Sequence, residues 1–464
     1  MLVICPRYLY IKYTYLNALI NTVLDTILAP SKIKIMLSHY LNKHRGALIL
    51  ATVFAKLLTI SLLQASPLVS IGDNAEIYFD GSSTARWTSN VFLTDRNEVE
   101  DFLYILSPGF EFNLGRDASN ADLSIVTRYD IIRYSDLTEL DVELLHVKLR
   151  GAYKSSRLEL TVSANYDEQK SNSGDIQIID DLIESTLSGG EVNGEYRISP
   201  KFSFGAGAEY FDTEYTGVYE GVLTDQERKR LPLDIFYELT PKLDLTLGYI
   251  YSDTEVGAIN SVIDFAENTD GSFIPIELEK SSYNRGSHFF NLGARGSLFP
   301  KLTGYFKVGY QKRESGIRPE STVINGTILS NNTTNYSEET TLGMDADIYW
   351  TFTPKLSARL GLSRDFGVGS DGAPTRENSL SLSSNLSLNN NWVANANLMY
   401  TQRDYTYRDR EDDKYTVGLR VFYMPNMFWQ FSGGYNFSDS ESTGDQAGNS
   451  YDAHVVDLNA TLRY

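Results

Sequence analysis

The chain has 464 residues and a formal net charge of −19, with 31 Tyr, 22 Phe and 34 Gly. So acidic a chain is a poor partner for nucleic acid, because phosphate binding requires a basic surface. Cys5 is the single cysteine, which excludes an internal disulfide and a cysteine-based metal site. The five histidines are far apart, with no pair at metal-ligand spacing, and we expect no metal and no cofactor.

An apolar segment near the N-terminus predicts secretion. Residues 46–65, GALILATVFAKLLTISLLQA, follow the basic Lys43, His44 and Arg45 and precede small and polar residues. This order of basic, apolar and small-residue regions is typical of a secretory signal peptide. A single membrane-spanning helix is the alternative, since the run is long enough. Lys56 within the run and the β-type sequence after it favour the signal peptide.

The position of this segment divides the chain into three parts. Met36 lies just upstream of it and would be a natural start, so we interpret residues 1–35 as a spurious or disordered extension. Residues 36–72 form the predicted signal-peptide region, with cleavage between Ala65 and Ala75. Residues 73–464 are then the predicted folded domain.

A short phrase with a proline near its start recurs along this domain. The copies are SPKFSFGAGAEY from Ser199, TPKLDLTLGYIY from Thr240, FPKLTGYFKVGY from Phe299, TPKLSARLGLSR from Thr353 and MPNMFWQFSGGY from Met424. Apolar and polar residues alternate after each proline, and this period of two predicts an amphipathic β-strand. The same alternation precedes the turns at Pro354 and Pro425. We therefore interpret the phrase as a hairpin whose proline presets the turn.

Three features favour a membrane barrel over a soluble sandwich. Strands of ten residues or more match a tilted span of the bilayer, whereas sandwich strands are usually shorter. Aromatic residues lie at both ends of the apolar face, as Phe202 and Tyr210 do. Short turns alternate with long polar segments at about 170–189, 255–283 and 315–338. The pattern predicts an all-β, antiparallel, up-and-down transmembrane barrel with short periplasmic turns and long extracellular loops.

The alternation predicts about 18 strands, with 16 as the alternative because residues 76–133 are less regular. The first strand covers 76–93 and the last covers 452–464. Pairs of strands flank turns near residues 117, 155, 200, 241, 300, 354, 390 and 425. An even number places both ends of the barrel on the periplasmic side, together with the short turns.

The last strand, VVDLNATLRY, resembles the C-terminal β-signal that the barrel-assembly machinery of Gram-negative bacteria recognises. Its apolar face consists of Val456, Leu458, Ala460, Leu462 and Tyr464, and the sequence ends on the aromatic residue. An edge strand that happens to end in tyrosine is the alternative. We expect the assembly machinery as a partner, with outer-membrane lipid and lipopolysaccharide around the barrel. The expected location is the outer membrane of a Gram-negative bacterium, after signal-peptide-dependent secretion.

The polar face of the strands carries the candidate lumen-lining residues. They are Glu209, Asp244, Lys307, Asp345, Asp347, Arg359, Arg420, Asp457 and Arg463. Both signs of charge are present, so the lining predicts no strong ion selectivity. Asp345 and Asp347 could form a catalytic carboxylate pair, but a position in a water-filled lumen is the preferred interpretation. With no nucleophile elbow, phosphate loop or metal motif, we expect no enzyme.

These features resemble the putative β-barrel porin 2 family, outer-membrane barrels often associated with exopolysaccharide synthesis and export. The resemblance covers most of residues 73–464. It rests on the turns at 199–202, 240–243, 299–302 and 353–356, on FKVGYQKRES at 306–315 and on the hairpin at 237–253. It implies that the barrel is a conduit for a polysaccharide leaving the cell, with the polymer and periplasmic export proteins as partners. It carries over no catalytic residues.

Other functions stay open at this point. A general diffusion porin predicts a long constriction loop that folds inward with separated acidic and basic rows. Segment 255–283 is long enough for such a loop, although its charges are not segregated. A surface or scaffold barrel without transport is a third possibility, and an outer-membrane enzyme is a fourth.

Overall fold

The computed structural model describes residues 67–72, 74–115, 120–172, 181–267 and 273–464. The predicted signal peptide, its alternative as a membrane helix and the predicted extension at residues 1–35 lie outside these residues. In the part of the chain that the structure describes, no helix is long and apolar enough to cross a membrane.

The described chain forms a closed antiparallel barrel of 18 strands, so the predicted number is confirmed rather than the alternative of 16. A short strand, β1 (Val69–Ile71), precedes the barrel, and β11 (Ile259–Glu267), β12 (Phe273–Lys280), β15 (Gly316–Ile324) and β16 (Thr327–Tyr336) lie outside it. The barrel strands are β2 (Ala75–Thr88), β3 (Asp101–Leu114), β4 (Ala121–Tyr134), β5 (Val142–Lys154), β6 (Leu158–Lys170), β7 (Glu184–Arg197), β8 (Phe202–Thr216), β9 (Gln226–Thr240), β10 (Leu243–Val256), β13 (Tyr283–Phe299), β14 (Leu302–Arg313), β17 (Glu339–Thr353), β18 (Leu356–Val368), β19 (Pro374–Ser387), β20 (Trp392–Tyr405), β21 (Glu411–Tyr423), β22 (Trp429–Thr443) and β23 (Tyr451–Arg463).

The repeated phrase forms the short turns between these strands. A polar side chain before the turn accepts a hydrogen bond from the backbone N–H of the residue after the turn. This bond replaces a ladder hydrogen bond that the turn itself cannot form. Thr353 Oγ1 accepts the N–H of Leu356 at 3.0 Å. Asn389 Oδ1 accepts the N–H of Trp392 at 3.0 Å in a turn that lacks proline. Three of the five copies of the phrase begin with such a capping residue, namely Ser199, Thr240 and Thr353.

The alternation along each strand separates a lipid-facing surface from an inner surface. On β10, Leu245 and Leu247 are exposed, the latter at 56%, while Ile250 on the opposite face is only 6% exposed. Large exposed apolar side chains occur in the same way on most barrel strands. A soluble protein would bury such residues, whereas a membrane barrel turns them towards lipid.

Pairing of the first and last barrel strands closes the barrel. β2 pairs with β23 from Asp80 opposite Arg463 to Thr88 opposite Val455. The backbone N–H of Tyr464 donates to the Phe79 carbonyl at 2.8 Å, and the reverse hydrogen bond measures 2.6 Å. The C-terminal residue is therefore part of the seam. The role of this strand in recognition by the assembly machinery stays a prediction.

Two of the long polar segments contain strands that the sequence analysis did not predict. Segment 255–283 contains the hairpin β11–β12, and segment 315–338 contains β15–β16. β12 pairs with β15, as Ile276 does opposite Ile324, so the two hairpins join into one four-stranded sheet at the long-loop end. This pairing joins separate parts of the chain, and local periodicity gives no sign of it.

We expect Tyr464→Ser to impair barrel assembly, because it removes the aromatic ring that stacks on Phe428 at the seam, at a centroid distance of 6.4 Å. The matched control is Tyr310→Ser, which removes an exposed tyrosine from the lipid-facing side of β14. The measurement is the amount of heat-modifiable, folded protein in the outer-membrane fraction. A normal amount of folded Tyr464→Ser protein would contradict the expectation.

Candidate functional site

Ion pairs cross the inside of the barrel on one side. Arg295 of β13 binds Glu195 of β7 through two hydrogen bonds of 2.6 and 2.7 Å, and it also binds Asp244 of β10 at 3.0 Å. The strands β8, β9 and β10 lie between β7 and β13, so the contact with Glu195 passes through the interior. The same guanidinium lies over the ring of Phe236, 3.3 Å from its centroid.

Two further ion pairs cross the same side of the barrel interior. Lys307 of β14 binds both carboxylate oxygens of Asp234 on β9, at 2.8 and 3.0 Å. Arg228 of β9 binds Asp365 of β18 at 2.5 Å. We call β7 to β10, β13, β14, β17 and β18 the packed sector. Some inner side chains on it are buried, and Asn291, for example, is only 2% exposed.

Over the part of their length that lies away from the Glu377–Arg403 ion pair, the neighbouring strands β19 and β20 present an uncharged, exposed inner surface. Its exposed residues are Ser381, Ser383, Asn385, Asn397 and Met399. They alternate with the lipid-facing leucines of the same strands. We call these five residues the open wall. Its serine hydroxyl and asparagine amide groups face the interior. The nearest charged pair on β17 and β18 is Arg359 with Asp347, and Arg359 lies opposite Ser383.

A glycine extends this polar surface onto the next two strands. A Cβ atom on Gly418 of β21 would lie 2.2 Å from Oδ1 of Asn397 and 2.4 Å from Oδ1 of Asn436. Because glycine lacks this atom, the amides of β20 and β22 approach each other across β21. The amide of Asn436 on β22 thereby lies close to that of Asn397 in the open wall.

The nine candidate lumen-lining residues all lie on the inner face by strand parity. Lys307 and Asp244 form the ion pairs described above. Glu209 accepts a hydrogen bond from Arg230 at 3.1 Å. Arg420 binds Asp457 at 2.6 Å. Arg463 binds Glu111 at 2.8 Å.

The two carboxylates that could have formed a catalytic pair bind different groups. Asp345 accepts a hydrogen bond from Tyr305 at 3.1 Å, and Asp347 accepts one from Arg359 at 2.7 Å. Because most of these nine charges are neutralised by a near neighbour, they add little net field to the lumen. Their part in the passage of a solute stays a prediction.

The sequence analysis missed a row of basic residues on the inner face of β5. His146, Lys148, Arg150 and Lys154 share one parity of the strand, and the last three are exposed. The signal in the sequence was the alternation of HVKLRGAYK, in which basic residues recur at every second position apart from Ala152. β5 precedes β8, the first strand from which a candidate lining residue was chosen.

A short loop, residues 369–373, covers the extracellular end of the packed sector. Its backbone carbonyls accept hydrogen bonds from Thr224, Tyr283 and Arg318, which lie in three other parts of the chain. The Ser370 carbonyl accepts the N–H of Thr224 at 3.0 Å. The Gly372 carbonyl accepts the Tyr283 hydroxyl at 2.7 Å. We call this segment the mouth loop.

Arg318 of β15 ties the mouth loop to the extracellular sheet. Its side chain is 1% exposed and donates to three carbonyl oxygens, those of Ser281 at 3.2 Å, Gly257 at 3.1 Å and Asp371 at 3.4 Å. A buried guanidinium needs such acceptors, because an unpaired charge would be costly away from water. Arg318 therefore links the hairpins outside the barrel to the cover over its mouth.

The extracellular loops after β2, β4 and β6 pack around an apolar cluster of Phe92, Leu140 and Leu182. Tyr219, in the loop after β8, donates to Asp181 of this region at 3.0 Å. Burial of the phenol and its hydrogen bond to the Asp181 carboxylate raise the pKa of Tyr219 to about 12. The hydroxyl therefore stays protonated at neutral pH and remains a hydrogen-bond donor between the loops.

Comparison with protein families supports the predicted resemblance. The model of the family described as Putative beta-barrel porin 2 matches residues 276–464. This range runs from β12 to the C-terminus and includes the closing strand β23. Together with the closed barrel and its apolar outer surface, the match identifies a porin-like outer-membrane β-barrel. No curated protein sequence matched the chain.

Solved outer-membrane barrels are similar to this chain at low identity. The ferric yersiniabactin uptake receptor FyuA of Yersinia pestis is 9% identical, with a TM-score of 0.43, over 86% of this chain and 81% of the receptor. The outer membrane protein opdK of Pseudomonas aeruginosa is 9% identical, with a TM-score of 0.36, over 84% of this chain and 99% of opdK. Values this low carry no argument about function.

We expect Arg295→Gln to destabilise the barrel and to enlarge its passage. The change leaves Glu195 and Asp244 without their cation, at a cost of about 2 kcal/mol for the lost charged hydrogen bonds. The temperature of heat modification on gels should fall and single-channel conductance should rise. Arg359→Gln is the control, because that more exposed arginine binds Asp347 alone. Unchanged values for both quantities would contradict this account of the packed sector.

We expect Arg318→Ala to loosen the mouth loop, since the three carbonyls lose their common donor. The measurement is the rate of protease cleavage within residues 369–373 in folded protein, which should rise several-fold. Lys280→Ala is the control, because Lys280 lies in the same extracellular sheet and its contact with Glu320 is a long 3.9 Å. Equal cleavage rates in the two variants would argue against the proposed link.

Proposed function

We propose that this porin-like barrel is the conduit through which an exopolysaccharide or capsular polysaccharide leaves the cell across the outer membrane. The observation that carries the proposal is the open wall of β19 and β20, exposed and uncharged, beside a sector closed by ion pairs. This arrangement leaves a passage away from the centre of the barrel. Its surface offers the hydroxyl and amide groups that sugars exchange hydrogen bonds with.

Transport requires contacts that are favourable enough for entry and weak enough for release. Serine and asparagine side chains form neutral hydrogen bonds, each worth only about 1 kcal/mol net against water. A hydrated sugar chain can therefore exchange one such contact for the next as it moves. An 18-strand barrel also has the width for a hydrated chain, even with part of its section filled. The family resemblance, with its association with exopolysaccharide export, supports the same function.

A general diffusion porin is the second candidate. Segment 255–283, the loop that could have folded inward, forms β11 and β12 of the extracellular sheet instead. The mouth loop does cover part of the extracellular end of the barrel, however. A loop that narrows the entrance would also suit a porin that admits only small solutes. The two functions differ in how the open pore responds to a polymer.

The deciding experiment is the single-channel conductance of the purified protein in a planar bilayer, with and without the exopolysaccharide of the source organism. A large conductance that the polymer blocks would support the conduit. A steady pore that ignores the polymer would favour the diffusion porin. No conductance from protein verified as folded would favour a plugged or scaffold barrel.

We expect Ser383→Trp to reduce polysaccharide secretion several-fold, because the indole would project from the open wall into the passage. The adjacent Leu382→Trp is the matched control, since Leu382 is 43% exposed on the lipid-facing side of the same strand. The measurement is secreted polymer per cell at equal amounts of folded barrel. Equal secretion from the two variants would show that the open wall does not border the route.

A further inference from the structure

The four basic residues of β5 form a column along the inner face of the barrel, which we call the basic ladder: His146, Lys148, Arg150 and Lys154. Their parity is set by the strand register. Leu149 pairs with Ile125 and Val147 with Thr127 on the lipid-facing side, so the residues between them face inward. Two residues along a strand span about 6.6 Å, which is the spacing along β5 of His146, Lys148 and Arg150, while Lys154 lies about twice as far from Arg150.

The two ends of the basic ladder are neutralised by carboxylates. His146 contacts Asp167 at 3.0 Å and Asp130 at 3.4 Å. At the other end, Lys154 pairs with Glu159 at 3.1 Å. These contacts resemble those of Arg295, Lys307 and Arg228 in the packed sector, each of which binds a carboxylate.

The two middle rungs differ from the ends. Lys148 and Arg150 are exposed, and neither makes an ion pair with a carboxylate among the residues that the structure describes. Their inner-face neighbours on β4 are Val126 and Ser124, and those on β6 are Asn165 and Ser163. Two adjacent cations therefore face the interior with no carboxylate directly opposite them on β4 or β6, in a chain whose net charge is −19. The nearest inner-face carboxylates on these strands, Asp122 and Asp167, lie one position further along.

The location of these two cations inside the barrel strengthens their attraction for anions. A cleft with low-dielectric walls focuses the field of its charges and raises the local concentration of counter-ions. In the closed order of the 18 barrel strands, β18 is nine strands away from β5 and so lies opposite it. β18 is also the neighbour of β19 in the open wall. The passage thus has a basic side at Lys148 and Arg150 and a neutral, hydrogen-bonding side at the serines and asparagines.

We propose that the basic ladder selects anionic polymers, so that the cargo of the conduit is an acidic polysaccharide rather than a neutral one. Lys148 and Arg150 bind its carboxylate, sulfate or phosphate groups in turn, while the open wall hydrogen-bonds its hydroxyl groups. The inference rests on the proposed function and adds the chemical class of the polymer. It differs from the expectation drawn from the mixed charges of the other inner residues, which predicted no strong selectivity.

The test uses the full-length purified barrel in planar bilayers and the double variant Lys148→Gln/Arg150→Gln. The control is Arg133→Gln/Lys229→Gln, which removes the same charge from the outer side of the barrel, where Arg133 pairs with Glu143 and Lys229 with Glu227. The gel shift on heating verifies that all the proteins are folded. Two quantities are measured: the reversal potential in a KCl gradient, and the concentration of polymer that half-blocks the current.

The probes are a polyuronate, dextran sulfate and plain dextran of matched length. We expect the wild-type and control barrels to prefer chloride and to be blocked by either acidic polymer at several-fold lower concentration than by dextran. The double variant should lose both preferences. Raising the salt concentration should weaken the block by acidic polymers in the wild type, because ions screen exposed charges. A difference between the polyuronate and dextran sulfate would show whether carboxylates or sulfates fit the ladder better.

The outcomes separate this inference from the proposed function. Equal block by acidic polymers and dextran, with no change in the double variant, would overturn the choice of an acidic cargo and leave the conduit standing. A chloride preference that depends on Lys148 and Arg150 without block by any polymer would overturn both proposals and indicate a porin for small anions. Unchanged reversal potentials in the double variant would overturn the basic ladder as a selective element.

Discussion

The structure depends on the requirement that every backbone N–H and C=O group within the lipid be hydrogen-bonded to another part of the chain. In a sheet this is possible only if the first strand pairs with the last. The hydrogen bonds between Phe79 and Tyr464 lie at that seam. Closure fixes which side chains face lipid and which face inward, so the interior chemistry follows from strand register.

Charge within the closed barrel is distributed unevenly, and this asymmetry links stability to function. Arg295, Lys307 and Arg228 each bind a carboxylate on a strand that is not their neighbour, and these bridges fill one side of the interior. A lumen filled in this way on all sides would conduct nothing. The passage that we propose lies away from these bridges, between the open wall and β5, where inner side chains remain exposed.

Much of the fold was predictable because its determinants are local. Period-two alternation and the capped turns gave the 18 barrel strands, and the parity of residues such as Lys307 and Asp345 placed them inside. Their partners were not predictable, since the contact of Lys307 with Asp234 depends on how strongly the wall curves between β9 and β14. The basic ladder was visible in HVKLRGAYK, but its two unpaired rungs are distinguished only by neighbours on β4 and β6.

The sequence by itself determined the strands, the turns, the lipid-facing surface and the number of strands that close the barrel, because each depends on residues close together in the chain. The tertiary structure alone decided which side of the interior the ion pairs fill and how Arg318 joins the extracellular sheet to the mouth loop. It also decided which inner-face charges lack a carboxylate partner among the described residues. Those features depend on contacts between segments far apart in sequence, and a one-dimensional pattern does not record the distance between them.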